Sequence, residues 1–299
     1  MRAYDALASQ PGSTKRQTHG DIYKVKTSIT RNLVWVAAAL AVQPVFADVI
    51  VTPGDTQGWT LTDFRGTGNG FTSNTVGAIS GTHAPVGETG SVQMSTTDSS
   101  GKADFTRLST GAVTFGDLTS LSYDWYRSSS STTTSWLTPA LRIIYDADGD
   151  RQTNADTGYM IFEPVYNVGN GPAATDTWVH ENVLGAKFWQ RQFAPNATTF
   201  SGGSQVFQTL TGWMTAGQQG NGDRLGASSL VLGVNFGVGS GWSGTFDGAV
   251  DHVEIGIGGV STTYNFETTV AAVPEPSTYA LMALGLGLCG LFSRRRKAG

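Results

Sequence analysis

Cysteine is almost absent from this chain of 299 residues: the one present, Cys289, lies close to the C-terminus. A body without thiols excludes a disulfide scaffold, a cysteine-ligated zinc site and a cysteine nucleophile, so packing alone must hold it. Charge is scarce too. Asp, Glu, Lys and Arg make up 14% of the residues and the net charge is −4, a balance that predicts no affinity for nucleic acid or anionic membrane surfaces. The four histidines, His19, His83, His180 and His252, form no His-x-x-x-His pair and have no nucleophile beside them in sequence. No Gly-x-Ser-x-Gly elbow, phosphate-cradling glycine loop or internal repeat occurs. Ser99-Ser100-Gly101-Lys102 fits Ser-x-x-Lys, but the glycine beside its lysine reads as a turn. These absences leave no conventional catalytic template, and the chain is expected not to be an enzyme.

What is abundant is glycine, at 39 residues, together with serine and threonine. Between turn clusters the apolar residues alternate with period two, as in half-buried strands. Leu121, Tyr123 and Trp125 alternate with Ser122, Asp124 and Tyr126, and Leu141, Ile143 and Tyr145 point one way while Arg142 points the other. Further strands are predicted over 91–96, 103–108, 159–166, 177–183, 230–238, 246–257 and 262–267. Their spacing argues for an all-β fold of two packed antiparallel sheets, a β-sandwich. Val206, Leu210, Trp213 and Met214 fall at i, i+4, i+7 and i+8, which predicts one short amphipathic helix ended by Gly217. The run of eight hydroxyl residues, 128–135, reads as a mobile loop or hairpin tip.

Both ends carry processing signals. Lys24, Lys26 and Arg31 precede an apolar stretch over 33–42 and then Val45-Phe46-Ala47, the three parts of a secretory signal peptide cleaved after Ala47. The polar leader before Tyr23 is long for such a signal, which suggests an upstream-assigned start, with Val25 as a non-AUG alternative. At the other end Val273-Pro274-Glu275-Pro276-Ser277 leads into an uncharged apolar segment, 279–292, which stops at Arg294-Arg295-Arg296-Lys297. The two prolines keep their segment extended, and the cations would stay on the cytoplasmic face. Fourteen residues containing Gly285, Gly287 and Gly290 fall short of the roughly 20 of a relaxed spanning helix. This three-part tail resembles the PEP-CTERM sorting signal of Gram-negative bacteria. The resemblance implies a hydrophobic sorting helix that anchors transiently, an exosortase that processes it after the translocon and signal peptidase, and a destination at the cell surface or in the extracellular matrix. An ordinary C-terminal membrane anchor is the alternative. The domains expected are therefore 1–47 leader and signal peptide, 48–270 ectodomain, and 271–299 sorting signal.

The run 246–255 carries Val250-Asp251-His252-Val253, and Tyr264-Asn265-Phe266-Glu267 follows. This pair resembles the last strands of jelly-roll domains of the concanavalin/laminin-G and galactose-binding types, which implies a jelly-roll sandwich. In many such domains a calcium ion staples the termini through an aspartate at the position of Asp251. Related glucanases carry Glu-x-Asp-x-x-Glu on one strand, and two carboxyl groups are essential to their chemistry. Here the first position is Ala249, which cannot act as nucleophile.

Two further candidates come from residue chemistry. Asp146, Asp148 and Asp150 alternate along a turn and could converge on structural Ca²⁺, which takes six to eight oxygens. The pattern departs from an EF-hand, and a solvated hairpin turn is the plainer reading. Among the tryptophans, Trp125 and Trp213 follow core periodicity, whereas Trp136 and Trp242 lie in polar or glycine-rich loops and are candidates for stacking on sugar rings. The expected function is a non-catalytic surface or matrix protein that binds exopolysaccharide. The alternatives are a glycosylated structural matrix protein without a specific ligand, and a membrane-anchored periplasmic protein.

Overall fold

Period-two alternation becomes fourteen strands in a computed structural model that describes residues 48–61, 75–151, 156–169, 171–193, 200–216, 223–239 and 241–269. The expected signal peptide, its cleavage residue Ala47, the sorting tail and Gly217 lie outside the described residues. In chain order the elements are β1 (Val49–Val51), β2 (Trp59–Thr60), β3 (Thr75–Ser80), β4 (Ser91–Thr96), β5 (Lys102–Leu108) and β6 (Leu118–Arg127). They continue with β7 (Ala140–Asp146), β8 (Thr157–Phe162), the single helical turn α1 (Val165–Val168), β9 (Trp178–Asn182), β10 (Lys187–Phe193) and β11 (Phe200–Thr209). The last are α2 (Leu210–Ala216), β12 (Leu230–Gly239), β13 (Phe246–Ile257) and β14 (Val260–Phe266).

The strands form two seven-stranded sheets, the sandwich expected. One runs β11-β10-β8-β7-β12-β5-β2. The other is built around β13, which pairs with β6 along one side and changes partner along the other. Its first half, 246–250, pairs with β4, and its second half, 253–257, pairs with β14. Beyond these lie β3, β9 and β1, and β1 runs parallel to β14. From β4 to β7 the chain passes from one sheet to the other at every connection, so both sheets depend on contacts distant in sequence.

Leu141, Ile143 and Tyr145 enter the core between the sheets, as do Leu121, Tyr123 and Trp125. Trp59 is the hub: its ring lies 5.2 Å from Phe236, 5.5 Å from Phe266, 5.6 Å from Tyr264 and 5.8 Å from Phe105. Trp125 and Trp213 are buried as their periodicity predicts. The helix is real but shorter than expected. Residues up to Thr209 pair with β10, leaving Val206 exposed on a strand, and the helix begins at Leu210. The Thr209 hydroxyl accepts the Gly212 N–H at 3.1 Å and caps this start, while Leu210 and Trp213 face inward. The strand predicted over 159–166 likewise stops at Phe162, because Pro164 cannot donate to a ladder and opens α1 instead. The hydroxyl run 128–135 is tied down rather than loose. Ser131 Oγ accepts from the Asp247 N–H at 2.9 Å, and the Arg127 guanidinium donates to the Thr133 hydroxyl and carbonyl, each at 3.1 Å.

Candidate functional sites

Alternation that sends Leu141 and Ile143 into the core sends Ala140, Arg142 and Ile144 to the outer face of the same sheet. That face is itself covered: Ala140, Ile144, Tyr159, Ile161 and Phe193 form a second buried cluster, with Trp189 and Leu232 packed on it. Beside it a pocket of about 210 Å³ opens, lined among others by Lys102, Asp104, Arg142, Tyr159, Glu163, Trp189 and Trp242. Asp104 on β5 and Asn235 on β12 both accept from Arg142 Nη1 on β7, at 2.7 and 2.5 Å. The other Asp104 oxygen pairs with Lys102 Nζ at 2.7 Å, and Asn235 Nδ2 donates to the Thr106 hydroxyl at 2.7 Å. The Arg142 guanidinium also sits 5.8 Å from the Tyr159 ring centre. Glu163 accepts the Trp189 indole N–H at 2.8 Å. Burial raises the Glu163 pKa, although the Trp189 bond and Arg142 pull it back. Burial is the largest influence on Arg142 and opposes its charge, but Asp104, Tyr159 and Glu163 together outweigh it and the guanidinium pKa is raised. The result is a walled pocket with ring faces beside polar groups whose positions are fixed by one another.

A second polar cluster lies on the other sheet, where β13 changes partner. The β13–β6 ladder slips between Asp251 and Glu254, and His252 takes φ +46°, which is strained for a residue with a Cβ. The buried Asp251 carboxylate fills the break: one oxygen accepts the Phe266 N–H at 2.9 Å and the His252 N–H at 2.8 Å. Its other oxygen, Oδ2, and Glu88 Oε2 are buried and meet no donor from the rest of the protein, and the two carboxyls lie within hydrogen-bond reach of one another. His252 Nε2 lies 3.0 Å from Glu88 Oε1 and its Nδ1 lies 3.1 Å from Asp124 Oδ2. His180 meets the other Asp124 oxygen at 2.6 Å. Burial pushes the Asp251 carboxyl up to about 8 and raises Glu88. The Asp124 hydrogen bond, with the neighbouring carboxylates, lifts His252 to about 9.

The structure separates the four aspartates proposed as calcium ligands. Asp146, Asp148 and Asp150 stay together, with one carboxylate oxygen from each within 4.8 Å of the others, whereas Asp251 groups with Glu88 and His252. In the first group the buried Asp146 carboxylate accepts the Gly149 N–H at 2.7 Å and the Arg151 N–H at 2.8 Å, and Asp148 accepts the Asp150 N–H at 3.0 Å. Those bonds are what a tight turn requires. Trp242 lines the pocket and packs at 5.1 Å on Phe246, while Trp136 is exposed and lines neither concavity among the described residues. The second concavity is an open shelf where His83 stacks at 4.6 Å on Tyr126, with Trp178 beyond.

Sequence reasoning missed Asp104, Glu163, Trp189 and Glu88. His180 and His252, far apart along the chain, meet at Asp124 because β6 lies between β9 and β13, so that Asp124 stands opposite both His180 and Asp251. Strand alternation marks Asp124 and Arg142 as outward-facing, but only the strand order reveals their neighbours. Glu88 lies in the turn before β4 and carries no periodic signal at all.

Among the described residues no helix is long and apolar enough to cross a membrane. No curated protein matches the chain. Residues 272–297 match the PEP-CTERM protein-sorting motif, so the chain carries the signal of an exported protein that an exosortase sorts.

Proposed function

We propose that this exported protein is a non-catalytic polysaccharide-binding protein of the cell surface or extracellular matrix, with the pocket on the outer face of the β11-to-β2 sheet as its binding site. The observation that supports it most is the pairing of ring faces with fixed polar groups. Trp189 and Trp242 offer apolar surfaces of the kind a sugar ring lies against, and Glu163 and Arg142, the latter held from behind by Asp104, offer charge-assisted hydrogen bonds to hydroxyls. Because Arg142 is already held by Asp104 and Asn235, little side-chain freedom is lost on binding. The sorting signal agrees with a surface destination. The winding between sheets and the jelly-roll resemblance of the last strands fit the same reading.

One feature favours a second reading. A buried Glu163 with a raised pKa is what a general acid needs. Its partner carboxylate would be Asp104, but both Asp104 oxygens are engaged by Arg142 and Lys102, which leaves no free nucleophile or base. Binding without turnover is therefore expected. The test is co-fractionation of the protein with the host's exopolysaccharide, for the parent and for Trp242→Ala. We expect the variant to be retained roughly tenfold less well, the loss typical of an aromatic anchor, with the polysaccharide chain length unchanged by either protein. Equal retention of both would remove the pocket as the site, and shortened chains would make the protein a hydrolase.

A further inference from the structure

Calcium at Asp251 is what the jelly-roll resemblance implies, and the residues around Asp251 do not suit it. Calcium takes six to eight oxygen ligands. Here one of the three groups that converge is an imidazole, and its far nitrogen is held by a carboxylate. We propose that Glu88, Asp251 and His252 form a binding site for one divalent first-row transition cation, zinc or manganese in class, with Asp124 orienting the imidazole.

Four independent observations carry this. One donor atom from each of the three residues lies within 4.8 Å of the others. Asp251 is fully buried, and neither its Oδ2 nor the buried Glu88 Oε2 meets a donor from the rest of the protein. The two carboxyls lie within hydrogen-bond reach of one another, so only a shared proton or a cation can satisfy them. In a regular strand Asp251 and His252 would point to opposite faces. The bulge and the positive φ of His252 turn both toward Glu88, a backbone strain of the kind that persists at functional sites. Finally, Asp124 Oδ2 lies 3.1 Å from His252 Nδ1, leaving Nε2 directed at Glu88. A carboxylate behind one imidazole nitrogen is the common outer partner of a metal-bound histidine, where it fixes the tautomer and raises the basicity of the other nitrogen. Imidazole with two carboxylates suits zinc, manganese or iron better than calcium or magnesium.

The site also has a structural consequence. Asp251 holds the Phe266 N–H, and Glu267 accepts the Thr89 N–H at 2.6 Å beside Glu88. A cation there would tie the turn before β4 to the end of β14, the strand after which the chain runs on to the sorting tail.

The experiment uses the full chain after exhaustive chelation. Titration with Zn²⁺, Mn²⁺ and Ca²⁺ is followed by calorimetry, and Co²⁺ is added to read ligand-field absorbance. We expect one equivalent of zinc or manganese to bind at least tenfold more tightly than calcium, with cobalt bands that report nitrogen ligation. Glu88→Gln, His252→Gln and Asp251→Asn should each weaken binding tenfold or more, and Asp124→Asn, which reaches the site through the His252 imidazole and also loosens His180, by tenfold to a hundredfold. Glu88 lies in a turn and makes no ladder bond, so its variant reports on binding even if Asp251→Asn fails to fold. Calcium bound more tightly than zinc and manganese, binding unchanged in Glu88→Gln, or no stoichiometric binding of any of these ions would each overturn the proposal. In the last case the cluster is an ion-pair network that shares protons.

Discussion

At the scale of single residues, Arg142 has the largest consequences. It is a buried cation on the outer face of a sheet, and three strands contribute to its hydrogen bonds: its own β7, β12 through Asn235 and β5 through Asp104. Removing one member of such a pair is costlier than the pair is worth, because the remaining charge stays buried. Arg142→Met should therefore destabilise the protein by about 3 kcal/mol, read as a lower urea midpoint with an unchanged slope. Adding Asp104→Asn removes the buried carboxylate then left with Lys102 as its one cation and should restore part of that loss, so the two changes will not be additive. Additive losses would mean that the two residues do not act as a pair. From the sequence, alternation shows Arg142 pointing away from the core. It does not show that Asp104, 38 positions earlier, and Asn235, 93 positions later, stand beside it.

At the scale of elements, β12 makes that pairing possible by what it lacks. A Cβ on Gly237 would fall on the Asp104 carboxylate and 2.6 Å from the Ala103 carbonyl oxygen, with Arg142 Nη1 only 2.9 Å away. Gly237→Ala should cost about 1–3 kcal/mol through overpacking and weaken polysaccharide binding by displacing Asp104 and Arg142. Gly111→Ala, where a Cβ would meet nothing within 4 Å, should stay within about 0.5 kcal/mol of the parent. If both variants behave alike, close approach at Gly237 does not shape the pocket. The elements also differ in how readable they are. Strands at Ser91–Thr96 and Phe246–Ile257 have the predicted bounds, because each is long enough to display its period and is closed by turn residues. The edge strands Val49–Val51 and Trp59–Thr60 are too short to show one. In β10 the inward position after Phe188 holds Gln190, buried and bonded to the Asp223 carbonyl at 2.9 Å, so a core-facing polar residue hides the alternation. The helix boundary fails for a different reason: Val206 fits a helical stripe, and pairing with β10 overrides it. Two sheets and their core are thus legible from local pattern. The sites are not, since both depend on strand order and one on a bulge.

At the scale of the whole molecule, the Asp251 cluster makes stability depend on protons and cations in opposite ways. Asp251 is raised from 3.8 to about 8, chiefly by burial, and His252 from 6.5 to about 9, chiefly by its hydrogen bond with Asp124. Both folded values exceed the unfolded ones, so the folded state binds these protons more tightly than the unfolded state does. Their contribution is fully present below the unfolded pKa values and is lost as pH rises through the folded ones. Asp251 loses its share from about pH 4 to 8 and His252 from about 6.5 to 9, so between pH 6.5 and 8 both act together. In that window the carboxylates with lowered values, such as Asp124 and Glu254, stay ionised in both states and do not interfere. The melting temperature of the metal-free protein should therefore fall from pH 6.5 to 9, most steeply below 8. Asp251→Asn should flatten the part below pH 8 and His252→Gln the part that extends to 9. A bound cation requires the ionised carboxylates and the neutral imidazole, so zinc should bind more tightly as pH rises and cancel or reverse the fall. Thermal scans with and without zinc across this range separate the two effects. If the metal-free curve is flat, Asp251 and His252 do not hold their protons in the fold. If it falls and zinc leaves it unchanged, the same residues work as a proton clasp on β14 and not as metal ligands.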